Sequence, residues 1–205
     1  MTLNIHYEER EIEGERLELT DTKARYWLGP NLTLRHCTVV LGVGGRSVSL
    51  SSSRLIDCTI QVKRQLTGKA WTLVALRGCR FKGRFHGCDF GPWHDYMDGW
   101  EQGVVEDCDF SEAQLDACRF HGSDPRSLRL PRWPCFTIVD PIGRAAELNR
   151  LKWPGAFGSV VVENIATHPR STLALSYHVP SVAKRLETTP EELRAVLKGL
   201  ECIVM

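Results

Sequence analysis

A short motif, a cysteine followed after one residue by Val, Ile or Phe, recurs six times between residues 37 and 120 of this 205-residue chain and constrains its fold more than any other feature. The six copies begin at Cys37, Cys58, Cys79, Cys88, Cys108 and Cys118. The first three cysteines recur at equal intervals, whereas Cys88 follows Cys79, and Cys118 follows Cys108, after roughly half that interval. A repeat of about 20 residues with small and large apolar side chains at fixed positions is typical of a solenoid, in which stacked coils share one core.

The charge balance and the cysteine content limit the class of partner and the compartment. The chain has 26 Lys and Arg against 25 Asp and Glu, a net charge of +1, which argues against nucleic acid or a membrane as the partner. The charged stretch from Glu8 to Glu13 contains no apolar run, so a secretory signal is not expected. Six of the eight cysteines sit at core spacing and no Cys-x2-Cys pair occurs. We therefore expect reduced thiols in a cytoplasmic protein rather than disulfides or a zinc site.

A five-residue period strengthens the solenoid prediction between residues 105 and 120. Bulky side chains recur every five residues and small ones precede each of them by two positions, as Cys108 and Phe110, Ala113 and Leu115, Cys118 and Phe120. This pattern resembles the pentapeptide-repeat family, with a good match over residues 105–120 and a partial one over 76–90. The resemblance implies a mainly β protein, a right-handed parallel β-helix. The earlier coils are one residue longer than four five-residue faces, so a looser right-handed β-helix is expected there.

An inserted loop is predicted at residues 91–103. The interval from Cys79 to Cys108 nearly equals that from Cys88 to Cys118, and both exceed the interval between the earlier cysteines. Each fits one coil of about 20 residues plus about ten more. Gly and Pro bracket the segment, and nothing in it follows the five-residue period. On this alignment four cysteines stack on one face of the solenoid and two on another; the four are Cys37, Cys58, Cys79 and Cys108, and the two are Cys88 and Cys118.

The repeat fades after His121, and residues 142–205 are predicted to form a small α/β appendage that caps a solenoid spanning residues 1–141. Helices are expected over 142–151, 157–166, 181–186 and 190–198, with strands over 172–179 and 201–205. Thr189 followed by Pro190 and two glutamates is typical of a capped helix start.

The insertion is the best candidate for a partner-binding surface. The segment from His94 to Cys118 carries eight Asp and Glu residues and no Lys or Arg, with aromatic residues among or beside them. Aromatic anchors surrounded by charge are typical of protein interfaces, and an acidic field speeds the capture of a basic partner. The alternative is that the aromatic side chains fold back onto the solenoid and the acids are solvated. The predicted contacts are Trp93, His94, Asp95, Tyr96, Asp98, Trp100 and Glu101.

Catalytic, metal and cofactor sites are not expected. His86, His94 and His121 could approach one another, with Asp89 or Asp95 as partners for acid–base work or a metal, but nothing in the sequence fixes their spacing. No Ser, His and Asp arrangement of catalytic type is evident. The segment from Gly42 to Gly45 is expected to be a turn between strands rather than a phosphate-binding loop, because no Lys-Ser/Thr pair and no helix follow it.

These features favour a non-enzymatic, protein-binding solenoid. By analogy of fold and surface, the chain resembles small bacterial solenoid proteins that serve as immunity partners of secreted toxins, and the partner would be a toxin with a basic surface. The first alternative is a DNA mimic that protects a topoisomerase such as gyrase, as some pentapeptide-repeat proteins do, although that role needs a long and strongly acidic rod. The second alternative is a β-helix enzyme acting on carbohydrate.

Overall fold

The structure, a computed structural model, describes residues 3–94 and 96–205 and has the predicted fold class. It is mainly β, with parallel strands stacked into a β-solenoid of about four turns and an α/β region at the C-terminal end. The solenoid strands, in chain order, are β1 (Leu3–Tyr7), β2 (Glu11–Glu13), β3 (Arg16–Leu19), β4 (Ala24–Leu28), β5 (Thr33–Arg35), β6 (Thr38–Leu41), β7 (Val48–Leu50), β8 (Ser53–Ile56), β9 (Thr59–Val62), β10 (Leu66–Thr67), β11 (Ala70–Trp71), β12 (Val74–Arg77), β13 (Arg80–His86), β14 (Asp89–Phe90), β15 (Val104–Glu106), β16 (Asp109–Asp116) and β17 (Cys118–His121).

The cross-section of the solenoid changes along its length. The first coils contribute one strand to each of three parallel sheets, ordered β1-β4-β7, β2-β5-β8-β12-β15 and β3-β6-β9-β13-β16. After Cys58 each coil has a fourth side. The long strand β13 spans two sides, since it pairs with β9 through its first half and with β10 through its second half. A separate sheet then begins with β11-β14-β17. The N-terminal coils, which depart from the five-residue period in sequence, are thus three-sided.

The repeated cysteines form two inward-facing ladders at the corners of the solenoid, as their spacing predicts. The thiol of Cys58 donates to the carbonyl oxygen of Leu34 one coil earlier, at 3.4 Å, and that of Cys79 donates to Leu55 in the same way, at 3.2 Å. Cys118 makes the corresponding contact with Phe85, at 3.6 Å, on the second ladder. All eight cysteines are buried and free. Burial raises the pKa of the Cys118 and Cys135 thiols, so these two side chains are poor nucleophiles in the folded protein.

Each of these corners also requires a left-handed backbone at the residue before the cysteine. The six residues at this position have φ between 51° and 61°; they are His36, Asp57, Gly78, Gly87, Asp107 and Ala117. Gly, Asn, Asp and His adopt this conformation more readily than other residues, since a Cβ atom otherwise meets the following carbonyl. The motif that marks a corner is therefore four residues long, and in five of its six copies it starts with Gly, Asp or His; Ala117 is the exception.

Replacing Gly87 by alanine is expected to lower the free energy of unfolding by about 1–2 kcal/mol. Its φ is 58° and no atom lies within 4 Å of an added Cβ, so the cost would be backbone strain alone. Gly44 is the matched control, because it also has no atom within 4 Å but has a φ of −71°. Alanine at Gly44 should leave stability unchanged or raise it by about 0.4–1 kcal/mol. Urea denaturation of the two variants and the parent checks this, and equal losses in both variants would contradict it.

Large aromatic side chains fill the core of the later coils and stack from one coil to the next. The ring of Phe81 lies parallel to that of Phe110, 4.5 Å away, and Phe90 stacks on Phe120 at 5.3 Å. Trp71 continues the second stack above Phe90, at 6.1 Å. The phenylalanines are the apolar members of the Cys-x-Phe motif, so the repeat creates a thiol ladder and an aromatic ladder side by side.

The C-terminal region extends the last solenoid sheet and has its own core. It contains β18 (Cys135–Val139), α1 (Ala145–Leu148), β19 (Thr172–His178), α2 (Val179–Arg185), α3 (Pro190–Leu197) and β20 (Ile203–Val204). β19 pairs antiparallel with β17 on one side and with β18 on the other, so the exposed edge of the last solenoid strand is covered. The second core joins the buried faces of α2 and α3 to side chains of β18, which precedes the predicted boundary at residue 141.

The predicted helices of this region differ in length and type. The helix expected over 142–151 is only the four-residue α1, and that expected over 157–166 is a π-helical turn, Gly158–Val162, followed by the 3-10 turn Ile165–Thr167. Thr189 caps α3 as predicted, since its hydroxyl accepts from the Glu192 amide while the Glu192 carboxylate accepts from the Thr189 amide. No helix in the described part of the chain is long and apolar enough to cross a membrane.

Candidate protein-interaction site

The insertion lies between β14 and β15, and a tight backbone approach fixes its C-terminal end. Among the described residues of the segment 91–103, the one regular element is the 3-10 turn Trp100–Gln102. A Cβ atom on Gly103 would lie 2.2 Å from the carbonyl oxygen of Thr72, so only glycine lets the chain pass this close to the neighbouring coil. The loop is therefore held against the turn between β11 and β12.

Trp93, predicted as a partner contact, also anchors the insertion to the solenoid. Its ring stacks on His121 at 4.8 Å, with an interplanar angle of 14°. The guanidinium of Arg119 lies 4.8 Å from the centre of the same ring, in a cation–π arrangement. Trp93 is half-buried by these contacts. For this residue the alternative interpretation, an aromatic side chain folded back onto the solenoid, describes the structure.

Tyr96 and Met97 form the exposed apolar tip of the insertion. Tyr96 stacks on Trp93 at 4.8 Å but keeps 41% of its surface exposed, and Met97 is 50% exposed. In the described part of the chain, five large hydrophobic residues are at least 40% exposed, and only these two are neighbours in the sequence. Sequence analysis identified Tyr96 but left Met97 outside the predicted contact set. The tip is therefore a small apolar patch that rests on a fixed tryptophan.

The other predicted contacts surround this tip. His94 is exposed and its ring lies 4.6 Å from that of Trp100, which is half-buried. Asp98 and Glu101 are exposed, and neither forms an ion pair with another residue in the described ranges. Asp95 lies outside the described residues. The role of these side chains in binding stays a prediction.

Three of the acidic residues that follow the insertion, Glu106, Asp109 and Glu112, are paired with basic residues of the preceding coil. Parallel register places Arg77 opposite Glu106 and Lys82 opposite Glu112, and the charged atoms are 3.2 Å and 2.9 Å apart. The charge count over the segment from His94 to Cys118 could not show these ion pairs, because Arg77 and Lys82 lie before the insertion in the sequence. The acidic field predicted from the sequence is therefore confined mainly to the insertion itself.

The three histidines considered as a cluster contact different groups. The Nδ1 atom of His86 lies 3.0 Å from the Asp116 carboxylate, whereas Nε2 of His121 lies 3.2 Å from Asp89. His94 contacts Trp100. Within residues 3–94 and 96–205, no group of three or more His, Cys, Asp and Glu side chains has the geometry to hold a metal ion.

Asp89, considered in the sequence analysis as a partner of the histidines, is the centre of a buried polar cluster. Arg119 donates to both of its carboxylate oxygens, from Nε to Oδ1 and from Nη2 to Oδ2 at 3.0 Å. The Nδ1 atom of His121 in turn lies 3.3 Å from the hydroxyls of Ser171 and Thr172. His121 is fully buried beneath Trp93, so these contacts join β14 and β17 to the C-terminal region.

The ionisation of Asp89 reflects opposing effects. Burial raises the pKa of its carboxyl group, but hydrogen bonds from His121 and Arg119 outweigh burial and hold the pKa below its usual value. The carboxylate is therefore charged in the folded protein at neutral pH.

Asp116 forms a second buried bridge between the solenoid and the C-terminal region. Its Oδ2 atom accepts from Arg185 of α2 at 3.0 Å and contacts His86 of β13 at the same distance. The backbone amide of His178 donates to Oδ1 at 3.4 Å. The two carboxylates together hold the α/β region in register with the last coil.

A cavity of about 770 Å³ lies beside the tip of the insertion. Its lining includes Lys69 and Arg46 from the solenoid and Tyr96 and Met97 from the insertion. The Nζ atom of Lys69 donates to the carbonyl oxygen of Val48. Burial lowers the pKa of Lys69 to about 8. Sequence analysis missed this site, since no motif marks it.

No protein-family model matches this chain, and no curated protein matches it. The resemblance to pentapeptide-repeat proteins therefore rests on the five-residue period of its later coils. The assignment that the structure supports is a parallel β-solenoid.

Proposed function

We propose that this chain is a non-enzymatic protein-binding solenoid that contacts its partner through Tyr96 and Met97. The single observation that carries the proposal is the exposed apolar tip, because two adjacent large hydrophobic side chains remain open to solvent on an otherwise anchored loop. Hydrophobic patches on a polar surface are typical of interaction sites. The stacking of Tyr96 on Trp93 supplies rigidity, which lowers the conformational entropy lost on binding.

The charge around the tip supports a basic partner. Asp98 and Glu101 are exposed beside the apolar pair, and the insertion contains no Lys or Arg. Rim charges of one sign accelerate association with a surface of the opposite sign. A toxin whose basic surface is blocked by this loop would fit these features, and the chain would then act as its immunity protein.

The DNA-mimic alternative has less support. A DNA mimic needs a continuous acidic face, and here Glu106 and Glu112 are compensated by Arg77 and Lys82. A gyrase supercoiling assay with the purified chain would still separate the two proposals, because a topoisomerase-protection protein would alter supercoiling at stoichiometric concentrations.

Site-directed photo-crosslinking tests the proposed interface. A crosslinking amino acid at position 96 should capture the partner in the source cell, and the same residue at position 160 should not. Val160 is the matched control because it is 50% exposed, compared with 41% for Tyr96, but lies in the C-terminal region. Mass spectrometry then identifies the captured protein, which we expect to carry a basic surface.

Replacing Tyr96 and Met97 together by alanine is expected to weaken binding of the captured partner by about 30-fold or more, the effect of losing one interface hot spot. Val160→Ala should leave the affinity unchanged. If the partner is a toxin, the parent chain should restore growth of cells that express it and the double variant should not. Unchanged affinity in the double variant, or equal capture at positions 96 and 160, would place the interface elsewhere.

A further inference from the structure

The wall of the solenoid is interrupted where its cross-section changes. One sheet ends at β7 and another begins at β11, although these strands occupy successive coils. In the other sheets, strands of successive coils pair directly. The interruption opens into the cavity beside the insertion, whose volume of about 770 Å³ falls in the range of small-molecule sites.

Two cationic side chains line this cavity, and its described lining contains no carboxylate. Lys69 is half-buried, and its ammonium group has the neutral carbonyl of Val48 as its hydrogen-bond acceptor. An ammonium group has three donors, so two are free to bind a ligand. Arg46 lies on the 3-10 turn Gly45–Ser47 at the rim and is exposed. A half-buried cation without a counter-charge favours an anionic ligand.

The remaining lining includes a fully buried threonine and an apolar wall. The hydroxyl of Thr72 is fully buried and has no hydrogen-bond partner among the described residues. Leu50, Leu73 and the ring of Tyr96 form the apolar part of the lining.

We infer that this cavity binds a small organic anion, whose phosphate or carboxylate group pairs with Lys69 and Arg46 while an apolar ring packs near Tyr96. This inference goes beyond the proposed protein-binding function, since it assigns a small-molecule site to the cavity that lies beside the loop tip. Both share Tyr96, so an occupied cavity would support the loop tip from beneath.

Calorimetric titration with three ring compounds tests the inference. Phenyl phosphate and benzoate carry the two candidate head groups, and benzamide is the uncharged control. We expect saturable binding of at least one anion and none of benzamide. The preferred anion identifies the head group. Saturable binding of neither anion, or equal binding of benzamide, would overturn the inference.

Variants of the two cations locate the site. Lys69→Met should reduce affinity for the bound anion at least tenfold, and Arg46→Gln should reduce it to a smaller extent because Arg46 is exposed. Lys63→Met is the matched control, since Lys63 lies outside the cavity and pairs with Glu18 at 3.4 Å. Circular dichroism verifies that each variant is folded. Equal affinity in Lys69→Met and the parent would contradict the assignment.

The pH dependence of the anion affinity provides a second test of the role of Lys69. Because the pKa of Lys69 is lowered to about 8 and a bound anion favours the charged form, affinity should be greatest below pH 8 and fall as the pH rises above it. The Lys69→Met variant should lose this dependence. Crosslinking of the protein partner at position 96 should remain in Lys69→Met, so that failure of the anion site and failure of the protein interface are distinguishable.

Discussion

Replacing Phe81 by alanine is expected to lower the free energy of unfolding by about 3–5 kcal/mol. Phe81 is fully buried, and its ring stacks on Phe110 at 4.5 Å and meets the edges of Phe90 and Trp71 at 5.4 Å and 5.6 Å. These neighbours belong to three coils that are held by backbone pairing, so they cannot collapse into the space left by the ring. A cavity would remain, and its cost adds to the lost burial.

Two further variants show whether the loss of stability in Phe81→Ala comes from the removed core volume. Phe81→Leu retains most of the apolar volume and should cost less than half as much as alanine. Met97→Ala should change stability by less than about 0.5 kcal/mol, because Met97 is half exposed on the insertion. Urea denaturation with a comparison of m-values measures all three. A loss below about 1 kcal/mol for Phe81→Ala would show that the aromatic ladder is not the centre of the core.

Replacing Asp89 by asparagine is expected to destabilise the protein by about 3 kcal/mol at pH 7, since it leaves the buried face of Arg119 without its counter-charge. The pKa of Asp89 is lower in the folded protein than in the unfolded chain, where it is about 3.9. Its contribution is therefore complete above about pH 4 and is lost as the pH falls through the folded-state value. The difference between parent and variant should shrink over that acidic range.

Unfolding curves recorded from pH 7 to pH 3 measure this difference. Asp124→Asn is the control, because Asp124 is exposed and pairs locally with Arg126 at 3.0 Å, so its loss should produce no resolvable change. A constant difference between the parent and Asp89→Asn at all pH values would mean that the carboxylate charge is not what stabilises the cluster.

The solenoid could be predicted because its determinants are local and periodic. Cys37, Cys58 and Cys79 occupy equivalent corners, and a fixed spacing along the chain becomes a fixed spacing in space once the coils stack. The capped start of α3 was predicted for the same reason, since the Thr189 and Glu192 contacts lie within one turn. In both cases the determining residues lie close together in the sequence or recur at a regular interval.

The candidate site was predicted only in part because its geometry depends on residues from different coils. The sequence located the insertion but could not show that Trp93 would stack on His121 while Tyr96 stayed exposed. The compensation of Glu112 by Lys82 depends on register between strands that are far apart in sequence. The cavity at Lys69 arises from a missing strand pairing, which leaves no signature in residue type.

The coils before and after the change from three to four sides contribute differently to the candidate sites. The loop tip, the cavity and the buried carboxylates all involve residues from Gly44 onward, whereas the first coils contact mainly one another. A chain with one extra N-terminal unit would keep the same working end and place its first strand about 4.8 Å further away. Adding or removing an early coil would therefore change the length of the solenoid and leave the loop tip, the cavity and the buried carboxylates as they are.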